Sequence, residues 1–519
     1  MVGKTQEIPK PKPLSSASMP AAKTVWSLKK ASVVSIAKNM EKIWMADYER
    51  HFKDQGTFLF VIGPFEYLTP CLIQELIDTL VDLCLLKRFY LHVLIDSRLL
   101  RLNLSICKFA SNKDSIINLV ATRCQRLTHL NIASCNQVSA RTLADLVESL
   151  PRLQVLNLRQ TKCNDQVLSR IGSSCQDLRE LNLFACPITD MGLLSLCVSF
   201  EPSHPKCPRL FRLDISNTAV TNKGVEVLVK NLPQLHFLVY PDICEVLYRL
   251  HHQETTSAQY QLHCLYLSNL KANLSPLPLS VEISCAVCPH VTEVNFLHGV
   301  TDAALLPLSQ LQHLRVLNVG NNEEELVSFE GGILPLLQIC GPTLQELSLF
   351  EVNDLDLGAV AACCPGLRKF SCLIAGFPKA TFPTNTHPEL LTVKRKPFPE
   401  LEKIRVLLHS PENSFPEQFL RLLTVHASGL KSLHLAYVQT LHDDTLLDIL
   451  QHNPLEHLEH IVLESCHHIS GEAFLHLLET KNSLREVLLK DCRDITLRDF
   501  TAYKRLVADH NYDTNIEWI

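Results

Sequence analysis

The chain has 519 residues, 46% of them hydrophobic and 20% charged, with a formal net charge of −5. That balance excludes global disorder, and the chain lacks the basic stripe that nucleic-acid binding requires. The length exceeds one ordinary globular core, so the chain either divides into domains or repeats a small unit.

Residues 1–24 read as a disordered tail, because Met1 to Lys23 is rich in Pro, Ser, Ala and Lys and holds no apolar run of the signal-peptide kind. The expected compartment is the cytoplasm or nucleus, where the 20 cysteines stay reduced and pack as small hydrophobes. The richest apolar segment, Leu72 to Leu94, is interrupted by Glu75, Asp78, Asp82, Lys87 and Arg88, so no membrane span is expected. The Asn-x-Ser tripeptides at Asn103 and Asn273 have no glycosylation meaning in that compartment.

Residues 25–98 form a helical region ahead of the repeats. In the segment from Ser27 to Ala37, Leu28, Ser32 and Ile36 recur every four residues and share one helix face. This stripe resembles the elongin C-binding box, with Ser32 where that motif has Cys and Ile36 where it usually has Ala. Further on, Pro70 is followed by Leu72 and Leu76. The spacing resembles a cullin-2 box, with Thr69 in place of the usual apolar residue before the proline. The same residues also describe a well-started helix and the cap that a solenoid needs, so both readings stay open. Leu68 to Leu86 also fits the first helix of an F-box, without the rest of that pattern.

From residue 99 to 498 a phrase, Leu-x-x-Leu-x-Leu, recurs with Val, Ile or Phe substitutions. Its starts are Leu99, Leu127, Leu153, Leu178, Leu210, Leu235, Leu262, Val291, Leu314, Leu344, Leu367, Leu401, Leu430, Leu458 and Leu484. The end of the phrase alternates apolar and polar, as a half-buried strand does, and the residues between phrases take helical spacing, as in Leu143, Leu146, Val147 and Leu150. Each unit is therefore a strand, a turn and a helix, and one continuous parallel sheet is expected. Cysteine recurs eight residues into the phrase, at Cys107, Cys135, Cys186, Cys466 and Cys492, where Thr161, Thr218 or Asn322 otherwise stands. A second set, Cys124, Cys175, Cys207, Cys288 and Cys364, precedes the phrase by three residues. Pro241–Gln261 and Ala375–Pro399 break the rhythm and read as rim loops. Residues 499–519 read as a helix and tail capping the last unit, with Trp518 covering its apolar surface.

With these features the chain resembles the cysteine-containing leucine-rich-repeat family of F-box and related ubiquitin-ligase receptors. The fold this implies is an α/β horseshoe solenoid with an α-helical N-terminal cap. The two boxes followed by repeats are similar to the Zyg-type receptors of cullin-2 ligases, without their armadillo-like domain. The resemblance implies elongin C with elongin B, and cullin-2, as partners, engaged through Leu28, Ser32, Ile36, Pro70, Leu72 and Leu76. A protein target, not named by the sequence, would lie on the concave face, where Arg159, Phe184, Arg212, Tyr266, Phe350, Lys369 and Arg405 point away from the core.

No cofactor or metal is expected. Cys285-Ala286-Val287-Cys288 with His290 has metal-ligand spacing, but a structural zinc site needs a second pair. His452, His457, His460, His467 and His468 fall on turns and a strand start and do not converge. No phosphate loop, nucleophile elbow, kinase or zincin signature is present. The expected function is non-enzymatic: a substrate receptor of a cullin-RING ubiquitin ligase, or alternatively a scaffold with no ligase partner.

Overall fold

The computed structural model describes residues 27–45, 65–105, 113–199, 206–253, 259–267, 277–297, 300–320, 327–352, 354–374, 396–409, 415–510 and 512–519. The expected tail, Cys107, Asn273, Asn322 and most of the Ala375–Pro399 insertion lie outside these residues.

Two neighbouring helices stand ahead of the repeats, α1 (Leu28–Lys38) and α2 (Pro70–Asp82), followed by the short α3 (Arg88–Leu94). Each phrase then supplies a strand. The first six are β1 (Arg101–Asn103), β2 (His129–Asn131), β3 (Val155–Asn157), β4 (Glu180–Asn182), β5 (Arg212–Asp214) and β6 (Phe237–Val239). The next five are β7 (Cys264–Leu267), β8 (Glu293–Phe296), β9 (Val316–Gly320), β10 (Glu346–Phe350) and β11 (Lys369–Ile374). The last are β12 (Lys403–Leu408), β13 (Ser432–Ala436), β14 (His460–Glu464) and β15 (Glu486–Lys490), and a sixteenth strand without a phrase, β16 (Asn515–Trp518), follows. Within β1–β6 and within β7–β16 each strand pairs in parallel with its chain neighbours, which requires a crossover after each strand, and helices fill most of those crossovers. In β1–β6 the leucines Leu102, Leu130, Leu156, Leu181, Leu213 and Leu238 stand opposite one another and are all buried, so one apolar row runs through the stack.

Polar groups close the open ends of each unit. Asn103, Asn131, Asn157, Asn182 and Asp214 each accept, through Oδ1, from the backbone N–H two residues on, which turns the chain off the strand. One residue later the backbone is left-handed, at Ser134, Gln160, Ala185 and Asn217. The cysteine slots have a backbone purpose. Cys135, Cys186, Cys466 and Cys492 donate to the carbonyls of Leu104, Leu158, Leu435 and Leu463 in the preceding unit. Cys124, Cys175 and Cys207 do the same for carbonyls near the preceding helix end, those of Asp96, Val147 and Ile171. A small donor that is otherwise apolar satisfies a buried acceptor at little volume.

Carboxylates also link consecutive helix N-termini. Asp165 accepts from the N–H and hydroxyl of Thr189 at 2.8 and 2.6 Å, and Asp190 does so from Thr221 at 2.7 and 2.6 Å. Gly192 and Gly224 leave room for them: a Cβ there would lie 2.3 Å from Oδ1 of Asp165 and Asp190 respectively.

The fold departs from the expectation in three places. First, the ladder divides into a six-stranded sheet, β1–β6, and a ten-stranded sheet, β7–β16. Val239 stands where the earlier units have Asn or Asp, and Pro241 brings no N–H, so the turn that carries the ladder forward is missing. His263 N–H still donates to the His236 carbonyl at 2.7 Å across the break. Second, Pro241–Gln261 is not a rim loop. It contains the helix Ile243–Gln253, whose Ile243, Cys244, Val246, Leu247 and Leu250 are buried. Third, the C-terminal segment is a helix, Leu497–Asp509, followed by β16 in parallel register with β15. Ile516 and Tyr503 fill the core there, while Trp518 stays partly exposed and stacks on Phe500 at 5.8 Å.

Candidate functional site

Helix α1 starts at Ser27, whose side chain accepts from the Lys30 N–H at 3.1 Å. It buries Val33, Val34 and Ala37. The stripe formed by Leu28, Ser32 and Ile36 lies on the opposite side. Leu28 is 86% exposed, Ser32 is exposed, and Ile36 rests half-buried at the edge of the core. In α2, Pro70 occupies the first turn and Ile73, Leu76, Ile77 and Leu80 face inward. Leu76 is therefore a core residue, not a surface contact. The i+6 spacing that made it a docking candidate is also the spacing of the helix's buried face. Pro70 and Leu72 remain partly exposed. The most exposed apolar residues of this region not marked by the pattern are Tyr67 at 94% and Ile43 at 58% exposure.

Lys29 pairs with Glu75 of α2, and Lys30 reaches Asp513 at 3.1 Å, just before β16. Helix α1 thus touches the first and the last parts of the solenoid, and the curve of the repeats brings its two ends together.

On the concave face, the seven residues named from the phrase fall into separate groups. Arg159 lies 4.1 Å over the ring of Phe184, and Arg212 lies 5.0 Å over Phe237. Tyr266 is on β7, beyond the break in the ladder. Phe184, Tyr266 and Phe350 are half-buried, not free-standing. Lys369 and Arg405 do come together, on the adjacent strands β11 and β12, while Phe350 lies at the far end of β10, opposite Leu373. Lys369 pairs with Glu346 at 2.5 Å. Beside them on β13, His434 is held below the usual imidazole range by burial and by Arg405. At the other end, a groove of about 480 Å³ separates α2 from β1–β3 and is lined by Gln74, Asp78, Arg101 and His129.

Cys285 and Cys288 are buried, and burial pushes the Cys285 thiol up to about 12. Among the described residues no three His, Cys, Asp or Glu side chains are grouped as a metal site would need, and no helix is long and apolar enough to cross a membrane.

The family model for the leucine-rich repeat matches residues 174–197, which span the Cys175 slot, β4, its Asn182 turn and the next helix. The fold is a leucine-rich-repeat solenoid. Its sequence is similar to F-box/LRR-repeat protein 4 of Bos taurus, 28% identical over 143 residues, covering 27% of this chain and 22% of that protein. It is also similar to an F-box/LRR-repeat protein of Arabidopsis thaliana, 24% identical over 125 residues, covering 24% of this chain and 28% of that protein. These matches take in less than a third of either relative. Among solved structures, the solenoid aligns with the yeast Rad7 and Elc1 complex at a TM-score of 0.45 and 17% identity, covering 92% of this chain and 96% of that one. An internalin from Listeria monocytogenes aligns at a TM-score of 0.34 and 14% identity, over 71% and 81% of the two chains.

Proposed function

We propose that this solenoid is a substrate receptor of a cullin-RING ubiquitin ligase, acting in the cytoplasm or nucleus. The stripe of α1 docks elongin C, Pro70 and Leu72 contribute to a cullin-2 contact, and the concave face holds the protein to be modified. The observation that carries this reading is the exposure of Leu28. A leucine 86% open to solvent, on the face opposite the one that α1 buries, adds nothing to the cap and is placed to enter a partner's apolar pocket. The F-box/LRR-repeat names of the relatives point to the same class of receptor.

The test is Leu28→Ala, read by co-precipitation with elongin C and by thermal unfolding together. Removing a leucine from a buried interface costs roughly 2–5 kcal/mol, which lowers affinity by one to several orders of magnitude. Capture of elongin C should therefore be lost while the melting temperature holds, because Leu28 is not in the core. Ser32→Cys should strengthen capture. If wild type and both variants remain folded and none retains elongin C, cullin-2 or an F-box adaptor, the receptor reading falls and the chain is a scaffold.

A further inference from the structure

Strands β10 to β13 lie in strict register and present three rows to the concave face. The first row is Glu346, Lys369, Lys403 and Ser432; the second is Ser348, Ser371, Arg405 and His434; the third is Phe350, Leu373, Leu407 and Ala436. Lys369 and Lys403 stand directly opposite one another, an arrangement that works against folding because like charges face across the ladder. Lys369 has Glu346 as a counter-charge. Lys403 and Arg405, both exposed, have no ion-pair or hydrogen-bond partner among the described residues. On the far side, Glu464 is engaged by Lys490 at 3.3 Å and lies 3.5 Å from His434. The patch thus has an excess of positive charge at its centre, bordered by an apolar row in which Phe350, Leu373 and Leu407 are half-exposed.

The spacing narrows the kind of anion. Neighbouring strands are about 4.8 Å apart and alternate residues of one strand about 6.6 Å apart, so the three cationic side chains arise within roughly 8 Å of one another. A set so compact suits one dianionic group with several acceptor oxygens better than carboxylates strung along a peptide. From these positions we infer that Lys369, Lys403 and Arg405 form a phosphate-recognition site on the concave face, which binds a phosphorylated side chain of a protein segment whose neighbouring apolar residue rests on Phe350, Leu373 and Leu407. The inference gives a chemistry to the target in the receptor reading, and it is independent of the α1 stripe.

The experiment uses the full chain and three immobilised degenerate peptide libraries that differ only at a central residue: phosphoserine, serine or glutamate. A homopolymeric RNA is run alongside. The phosphoserine library should retain the protein at least ten-fold better than the serine library, and retention should fall steeply with added salt. Arg405→Glu and Lys403→Glu should abolish it, and Arg405→Gln should weaken it. All three positions are exposed, so melting temperatures should stay near that of wild type, and Lys403→Ala should raise its own slightly by relieving Lys369. Leu28→Ala should leave peptide retention intact while losing elongin C, which separates failure of this site from failure of the receptor reading. Equal retention by phosphoserine and serine, or indifference to charge reversal, would overturn the site. Glutamate performing as well as phosphoserine would replace it with a general acidic-peptide surface, and retention on RNA that Arg405→Glu removes would replace it with a nucleic-acid surface.

Discussion

At the scale of single residues, the buried titratable groups set how the molecule responds to its surroundings. Burial pushes the thiols of Cys175, Cys264, Cys364 and Cys372 up to about 12, so they stay protonated at neutral pH and do not act as nucleophiles; Cys175 donates to the Val147 carbonyl, and Cys264 accepts from the Asn295 amide. Cys71 and Cys84 are the exposed cysteines among the described residues, and none of the described thiols is in a disulfide. In the native state a thiol reagent should therefore modify these two in a fast phase, and a Cys71→Ser, Cys84→Ser variant should lose two equivalents of that phase. Persistence of both equivalents in the double variant would refute the assignment. The histidines act in the opposite sense. Burial is the main cause holding His129, His263, His426 and His434 below the usual imidazole range. The unfolded chain then takes up protons first, near pH ~6.5, so stability is complete above that pH and declines as acid is added towards the lower folded values. Chemical unfolding at pH 7.5 and 5.5 should give a lower midpoint in acid; a higher one would contradict the burial of these rings.

The elements differ in how much of them the sequence revealed. The strand phrase was legible because Leu-x-Leu alternation has the period of a strand, and the outward direction of Lys369 and Arg405 followed from it. The break after β6 was not, because Leu235 and Leu238 satisfy the phrase as other units do. What interrupts the ladder is Val239 and Pro241, outside the apolar pattern. The helix Ile243–Gln253 was read as an insertion because the distance to the next phrase is long, although its own apolar spacing is helical. Strand β16 escaped because Asn515-Ile516-Glu517-Trp518 alternates for only four residues and has no leucine phrase. The cationic cluster needed the register of β11 on β12, which the intervening insertion hides. Helix-on-helix packing yields a further prediction. A Cβ on Gly172, in the helix Asp165–Ser174, would meet the Ser195 carbonyl oxygen at 2.9 Å and the Leu196 carbonyl oxygen at 3.0 Å. These are backbone atoms of the next helix and cannot swing away. Gly172→Ala gains about 1 kcal/mol of helix propensity but forces the helices apart at roughly 1–3 kcal/mol, so a net loss of stability is expected. Gly429→Ala, with nothing within 4 Å, should stay within about 0.5 kcal/mol of wild type in the same unfolding assay.

Over the whole molecule, the contact between Lys30 and Asp513 joins positions 483 residues apart. With Lys30 half-exposed, an ion pair of this kind contributes roughly 0.2–1 kcal/mol. Lys30→Glu and Asp513→Lys should each destabilise slightly, and the double exchange should recover most of the loss. A coupling energy of zero in that cycle would mean that the ends do not meet in solution. Repeat arrays without such a contact unravel from their termini, because an end unit has one neighbour instead of two. Here each end has a second neighbour, and the interruption of regular strand pairing lies elsewhere, between β6 and β7. The molecule is built like a clip whose apolar core runs unbroken past the step from β6 to β7, with a light catch formed by Lys30 and Asp513 where its ends meet. A catch of that strength adds little to the work of parting the ends, so the stacked core itself sets the curvature, and salt that screens the pair should leave the shape of the arc unchanged.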